Sequence, residues 1–167
     1  PIRNWPHPDV ENVPAGDARR TVVKLMEYCF LPHPTWMVRK SALDAAGPYD
    51  EEALRSQDFD MILRLARTND GAFVDDIVLY QRQHEASRPG LLASTGSNDA
   101  VAGWALHDHR IFSRIARTWQ LSDFRPFEIA QVPEHAERTA WLQKGVVLFP
   151  RQCHQEALQA LEIYRRL

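Results

Sequence analysis

The apolar and polar positions of the chain fall into a mixed stretch up to about residue 90 and an all-helical one beyond it. Val22, Leu25, Met26 and Cys29 line one stripe of a helix that Asp17 is placed to cap, and Pro32 and Pro34 stop it. The run Thr35-Trp36-Met37-Val38, β-branched and aromatic, predicts a brief buried strand. Ser41 is placed to cap a short helix, with Asp44 where a capping-box acid sits, and Gly47-Pro48 ends it. Ser56 is placed to cap the next helix. On it Phe59, Ile62, Leu63 and Ala66 follow the i, i+3, i+4, i+7 spacing of a core-facing stripe. Asn69-Asp70-Gly71 closes that helix with residues that tolerate left-handed backbone. Phe73 to Tyr80, apolar but broken by Asp75-Asp76, predicts a strand or strand pair.

A loop follows through Arg88-Pro89-Gly90 and Ser94 to Asn98. Val101, Trp104, Ala105, Phe112, Ile115, Ala116 and Trp119 then form a long helical stripe. Two further helical patterns run from Pro133 to Leu148 and from Arg151 to Arg166. The expected class is α+β, predominantly helical. Its parts are an extended lead-in over 1–16, marked by Pro6, Pro8 and Pro14, a mixed segment over 17–90, and a helical subdomain over 91–167. Because the chain opens Pro1-Ile2-Arg3 without a Met, it reads as a piece of something longer.

Composition narrows the classes of function. The 167 residues, 44% hydrophobic and 25% charged, are enough for one domain with a real core, and they argue against wholesale disorder. Twenty basic against twenty-two acidic side chains lack the basic excess of a nucleic-acid-binding domain. No run reaches the ~18 apolar residues of a membrane span, and no signal peptide opens the chain. Cys29 and Cys153 fit no metal-ligand spacing and read as idle thiols in a reducing cytoplasm, the inner face of the membrane included.

Three clusters carry chemistry. They are Pro32-His33-Pro34-Thr35-Trp36-Met37-Val38-Arg39 running on to Gly47-Pro48-Tyr49-Asp50, then Gln57-Asp58-Phe59-Asp60 with Arg64-Leu65, then Tyr80-Gln81-Arg82-Gln83-His84 with Ser87. In this order and spacing they resemble the acceptor-side, C-terminal part of a family 2 glycosyltransferase of the GT-A fold. The resemblance covers about a third of the chain, from Leu31 to Ser87. Two positions depart from the family pattern: Gln57 stands where Glu is usual, and Pro48 where a second Gly is usual.

The resemblance implies an inverting transfer of a sugar from a nucleotide-sugar donor to a glycan or lipid-linked acceptor, as in polysaccharide biosynthesis. An acceptor hydroxyl is a poor nucleophile until its proton is taken, so a carboxylate must lie within hydrogen-bond reach. Asp58 matches that base. Its place in a first helical turn, where the macrodipole is positive, suits a carboxylate. His84 matches a histidine that joins the divalent metal, Mg2+ or Mn2+, on the diphosphate, where the metal neutralises the leaving group. Its other reading is a surface histidine. Gln57 and Arg82 are further candidates for substrate contact, Arg82 toward a phosphate or an acidic surface group. His33 either lines the acceptor cleft or serves the structure. Arg39 and Arg64 are expected in salt bridges.

The nucleotide-binding half of such an enzyme is not legible here. The only Asp-x-Asp, Asp58-Phe59-Asp60, belongs to the base helix, and no Gly-rich phosphate loop follows a strand. The piece alone is therefore expected to be inactive. His107 and His109, two apart on a helix, point to different faces and make a poor metal motif. Ser41, Ser87 and Cys153 show no base-and-orienter pattern nearby in sequence. Half a GT-A sheet would leave an open edge, so self-association is expected. The rival reading is a non-catalytic helical interaction module that keeps glycosyltransferase-like motifs.

Overall fold

The computed structural model describes residues 18–27, 29–72, 76, 78–80, 97–126 and 132–167. Among the described residues six α-helices carry the fold: α1 (Ala18–Glu27), α2 (Lys40–Ala46), α3 (Gln57–Thr68), α4 (Ser97–Thr118), α5 (Pro133–Leu148) and α6 (His154–Arg166). Short 3-10 turns lie at His33–Thr35, Leu121–Phe124 and Phe149–Arg151. The predominance of helix is as expected. Among the described residues there is no strand, and the β part of the expected class is corrected accordingly.

The reason is local at Thr35 to Val38. Pro32 and Pro34 remove two backbone donors and preset a tight turn. The Thr35 amide and hydroxyl both donate to the Pro32 carbonyl, at 3.0 and 2.8 Å. Met37, expected in a buried strand, is 99% exposed. Of the second expected strand, residues 76 and 78–80 are irregular, with Val78 and Tyr80 exposed, and the rest of it lies outside the described residues. So do the lead-in over 1–16 and the boundary near residue 90.

The helical stripes behave as their spacing dictates. Val22, Leu25 and Met26 of α1 are buried, whereas Cys29 lies beyond the helix and is exposed. Phe59, Ile62, Leu63 and Ala66 are buried along α3, as are Phe112 and Ile115 of α4 and Trp119 just past its end. They join Phe124, Val147, Leu148, Cys153 and Ala157 in one hydrophobic cluster. Such burial is worth roughly 1.5–3 kcal/mol for each large side chain, and it is the main force ordering the helices. Leu158 of α6 is exposed.

Helix ends depart from expectation in three places. Arg39, not Ser41, occupies the N-cap of α2, and Asp44 pairs with Lys40 at 2.7 Å rather than closing a capping box. Ser56 is the N-cap of α3 but makes no side-chain cap bond. Asn69 ends α3 in extended backbone, its side-chain amide donating to the Leu65 carbonyl at 3.0 Å. Gly47 does cap α2, with φ +80°, a region open to glycine without strain.

α1 and α2 both pack on α3, while α5 and α6 form a helical hairpin. Arginines tie α3 to α4 and to the Leu121–Phe124 turn. Arg67 of α3 bonds Asp123 at 2.9 Å and lies over the Trp119 ring. Arg114 of α4 reaches Asp60 of α3.

Candidate functional site

The first turn of α3 holds the predicted base. Asp58 is half-buried, and its Oδ1 accepts the Phe59 amide at 2.9 Å. Its second oxygen takes no hydrogen bond among the described residues. Gln57 is half-buried beside it and has no hydrogen-bond partner among the described residues. Asp60 plays a different part. It is 2% exposed, bonded to Arg64 at 3.0 Å and to Arg114, so both its oxygens are committed to ion pairs. Of the two aspartates of the motif, one keeps an oxygen without a hydrogen-bond partner among the described residues and the other is held by two arginines.

The Pro32–Asp50 segment is held by contacts of its own and by Arg64 and Arg110. His33 Nε2 and the Tyr49 hydroxyl share a hydrogen bond of 3.2 Å, and the His33 ring meets Trp36 edge-on at 4.8 Å. The Trp36 indole donates to the Leu31 carbonyl at 3.3 Å, and the Cys29 thiol points to the same carbonyl at 3.9 Å. Cys29 senses the charge of Asp58. Loss of water around the thiol is the largest cause of a pKa pushed up to about 11, and the Asp58 carboxylate is the next, ahead of Asp108.

Arg64 binds the Gly47-Pro48 turn to α3. It donates to the Ala46 carbonyl and, at 2.9 Å, to the Pro48 carbonyl, while also holding Asp60. Its expected structural role is met. Arg39 is exposed and makes no ion pair among the described residues. Next in the turn, Asp50 pairs with Arg110 of α4 at 3.2 Å, and Glu52 does so at 2.7 Å.

Sequence reasoning missed two clusters. Cys153 lies 3.6 Å from His109 Nδ1 and 3.5 Å from the Ser113 hydroxyl, and Ser113 reaches His109 Nε2 at 3.4 Å. No local spacing reveals this, because the residues are some 40 positions apart (|i−j| of 40 and 44). The group is structural. Cys153 is 1% exposed, burial raises its pKa, and His109 is engaged by the Arg151 carbonyl at 3.2 Å. The second is Ser56–Asp108–Arg151. The Ser56 hydroxyl donates to Asp108 Oδ1 at 3.0 Å, and Arg151 pairs with the other oxygen. Lys144, half-buried between the Phe124 and Trp141 rings with its pKa lowered by burial, donates to the Ala116 carbonyl at the end of α4.

Among the described residues no group of three or more His, Cys, Asp or Glu could hold a metal ion. Arg82 and His84 lie outside the described residues. No helix of the described residues is long and apolar enough to cross a membrane. Comparison with protein-family models, with curated proteins and with solved structures finds no match to this chain.

Proposed function

We propose that the chain is the acceptor-binding, base-bearing portion of an inverting family 2 glycosyltransferase of the GT-A fold. Asp58 takes the proton of an acceptor hydroxyl as that oxygen attacks the anomeric carbon of a nucleotide sugar. The acceptor is a glycan or lipid-linked glycan, and His33 and Gln57 contact it. Arg82 and His84 serve the donor phosphates and the Mg2+ or Mn2+, which other parts of the enzyme also hold. When bound, that ion neutralises charge on the departing diphosphate. The protein works on the cytoplasmic side.

One observation carries this reading. In the first turn of α3 Asp58 keeps a carboxylate oxygen uncommitted among the described residues, and in the preceding motif the His33 side chain contacts both Trp36 and Tyr49. A general base needs that freedom, whereas each oxygen of Asp60 is already engaged by a guanidinium group. Ring faces with a polar edge suit a substrate that is part apolar and part hydroxyl. Chemically the sequence of events is one proton to Asp58, one bond from acceptor oxygen to sugar, and one bond broken to the nucleoside diphosphate.

The test uses the chain expressed with its native upstream coding sequence and a panel of UDP-, GDP- and dTDP-sugars. Asp58→Asn should remove most transfer, about 10²-fold or more by the usual worth of a general base, and leave nucleoside diphosphate binding by calorimetry unchanged. Undiminished turnover sinks the base assignment.

A second reading, a helical interaction module without catalysis, draws on the exposure of Met37, Val38 and Leu54 in the same segment. It requires that the upstream-extended protein bind no nucleotide sugar. These side chains also underlie the proposal that the chain self-associates, since the described residues contain no sheet edge to do so.

A further inference from the structure

We propose that Asp108 and Arg151, from the helical second half of the chain, are positioning residues for Asp58, acting through Ser56. The inference rests on the reading of Asp58 as a base. Ser56 stands two residues before Asp58 with φ +61° and ψ +19°, in the left-handed region that a residue with a Cβ seldom occupies. An N-cap serine ordinarily turns its hydroxyl onto its own helix. Ser56 does not. Its hydroxyl is given instead to Asp108, 52 residues away, at 3.0 Å.

Asp108 is itself held. Arg151 occupies its other oxygen, and the same guanidinium donates to the Glu27 carbonyl at the end of α1, at 3.1 Å. The guanidinium also lies over the rings of Phe59 and Phe112, at 5.4 and 5.0 Å. Asp108 and Arg151 are each mostly buried, with side-chain exposures of 13% and 18%. The result is a fixed anchor joining the end of α1, α4 and the 3-10 turn after α5 to the residue that sets the entry angle of α3. A left-handed residue at a helix start persists only where its surroundings over-determine it, and such residues gather at functional sites. Here the beneficiary is the next turn, where Phe59 holds one Asp58 oxygen and leaves the other free. Releasing Ser56 lets that turn relax toward an ordinary cap and swings the Asp58 carboxylate out of register.

The experiment needs no turnover. In the isotope-labelled chain, amide exchange at Phe59 and the pH titration of the Asp58 Cγ resonance report the carboxylate's setting directly. Ser56→Ala, Ser56→Gly and Asp108→Ala should each raise Phe59 exchange at least tenfold and move the Asp58 titration. Exchange at Leu65 and Ala66, two turns on, should stay as in the parent. Asp108→Asn keeps an oxygen for the Ser56 hydroxyl and should restore both readouts. The Gly variant accepts the backbone angle freely, so its loosening isolates the hydroxyl bond from backbone strain. If Phe59 exchange and the Asp58 titration hold steady in Ser56→Ala and Ser56→Gly, or if protection is lost evenly along α3, the proposal is overturned. Failure of the base assignment shows separately, as undiminished transfer by Asp58→Asn.

Discussion

Asp60 and Arg114 form an ion pair across 54 residues of sequence, with the carboxylate 2% exposed and the guanidinium about half in solvent. Arg64 shares the same carboxylate, so one aspartate joins α3 to α4 and, through Arg64, to the Gly47-Pro48 turn. The pair therefore sets how the helical half of the chain lies against the candidate site.

Removing that carboxylate strands two cations near the core. Asp60→Ala should cost about 3 kcal/mol, the low end for breaking a buried pair because Arg114 stays partly solvated. For a chain of this length that is a fall in Tm of roughly 10 °C. Asp58→Ala, which loses only the bond to the Phe59 amide, should cost about 1 kcal/mol. Urea and thermal unfolding followed by circular dichroism decide it; equal losses in the two variants contradict the division of roles between these aspartates.

Much of the helical architecture was legible because helix is a local matter. The Phe59–Ala66 stripe and the span from Pro133 to Leu148 fall where the spacing and the N1 proline place them. The expected strand at Thr35–Val38 failed for a different reason. A strand is completed by a partner, and an apolar β-branched run such as Thr35–Val38 shows only that one would be welcome. Here two prolines turn the chain before any pairing. The Asp58-Phe59-Asp60 motif was legible, yet the different surroundings of its two aspartates were not, since those depend on Arg114, far off in sequence. Ser56 was read as a cap from its position alone. Its actual partner, Asp108, sits in a His-Asp-His run whose only local reading was a poor metal motif.

Gly145 marks the closest approach of α5 and α6. A Cβ built there would lie 2.6 Å from Leu161 Cγ and 2.7 Å from its Cδ2, well inside contact distance. The intrinsic preference of a helix for alanine over glycine favours Gly145→Ala by about 1 kcal/mol. The clash outweighs it, with overpacking of this kind costing about 1–3 kcal/mol. Net destabilisation of about 1 kcal/mol is expected by urea titration. In the Leu161→Ala background the same change should become stabilising, and persistence of the loss there contradicts the contact.

Self-association should follow from side chains rather than from a sheet edge. Met37 at 99% and Leu54 at 65% exposure lie on the two sides of α2. Large exposed apolar groups on one segment favour burial against another surface. Light scattering should give a mass above that of a single 19.2 kDa chain as concentration rises. Met37→Glu with Leu54→Glu should return it to monomer. A parent protein that stays monomeric at high concentration rejects the idea.

Cys29 offers a pH readout of the same helix start. Its thiol is pushed from an ordinary 9.0 up to about 11, by lost hydration first and by the negative charge of Asp58 second. Because the folded state holds the proton more tightly than the unfolded chain, the associated stability is fully present below pH 9. It is lost as pH rises from about 9 to about 11. Alkylation by iodoacetamide, which needs the thiolate, should climb with a midpoint near 11, while buried Cys153 stays unreactive in the native protein. Asp58→Asn removes a negative charge beside the thiol and should lower the Cys29 midpoint, since a neutral amide no longer opposes a second anion. A midpoint unmoved by Asp58→Asn would mean that the two side chains do not share the helix start.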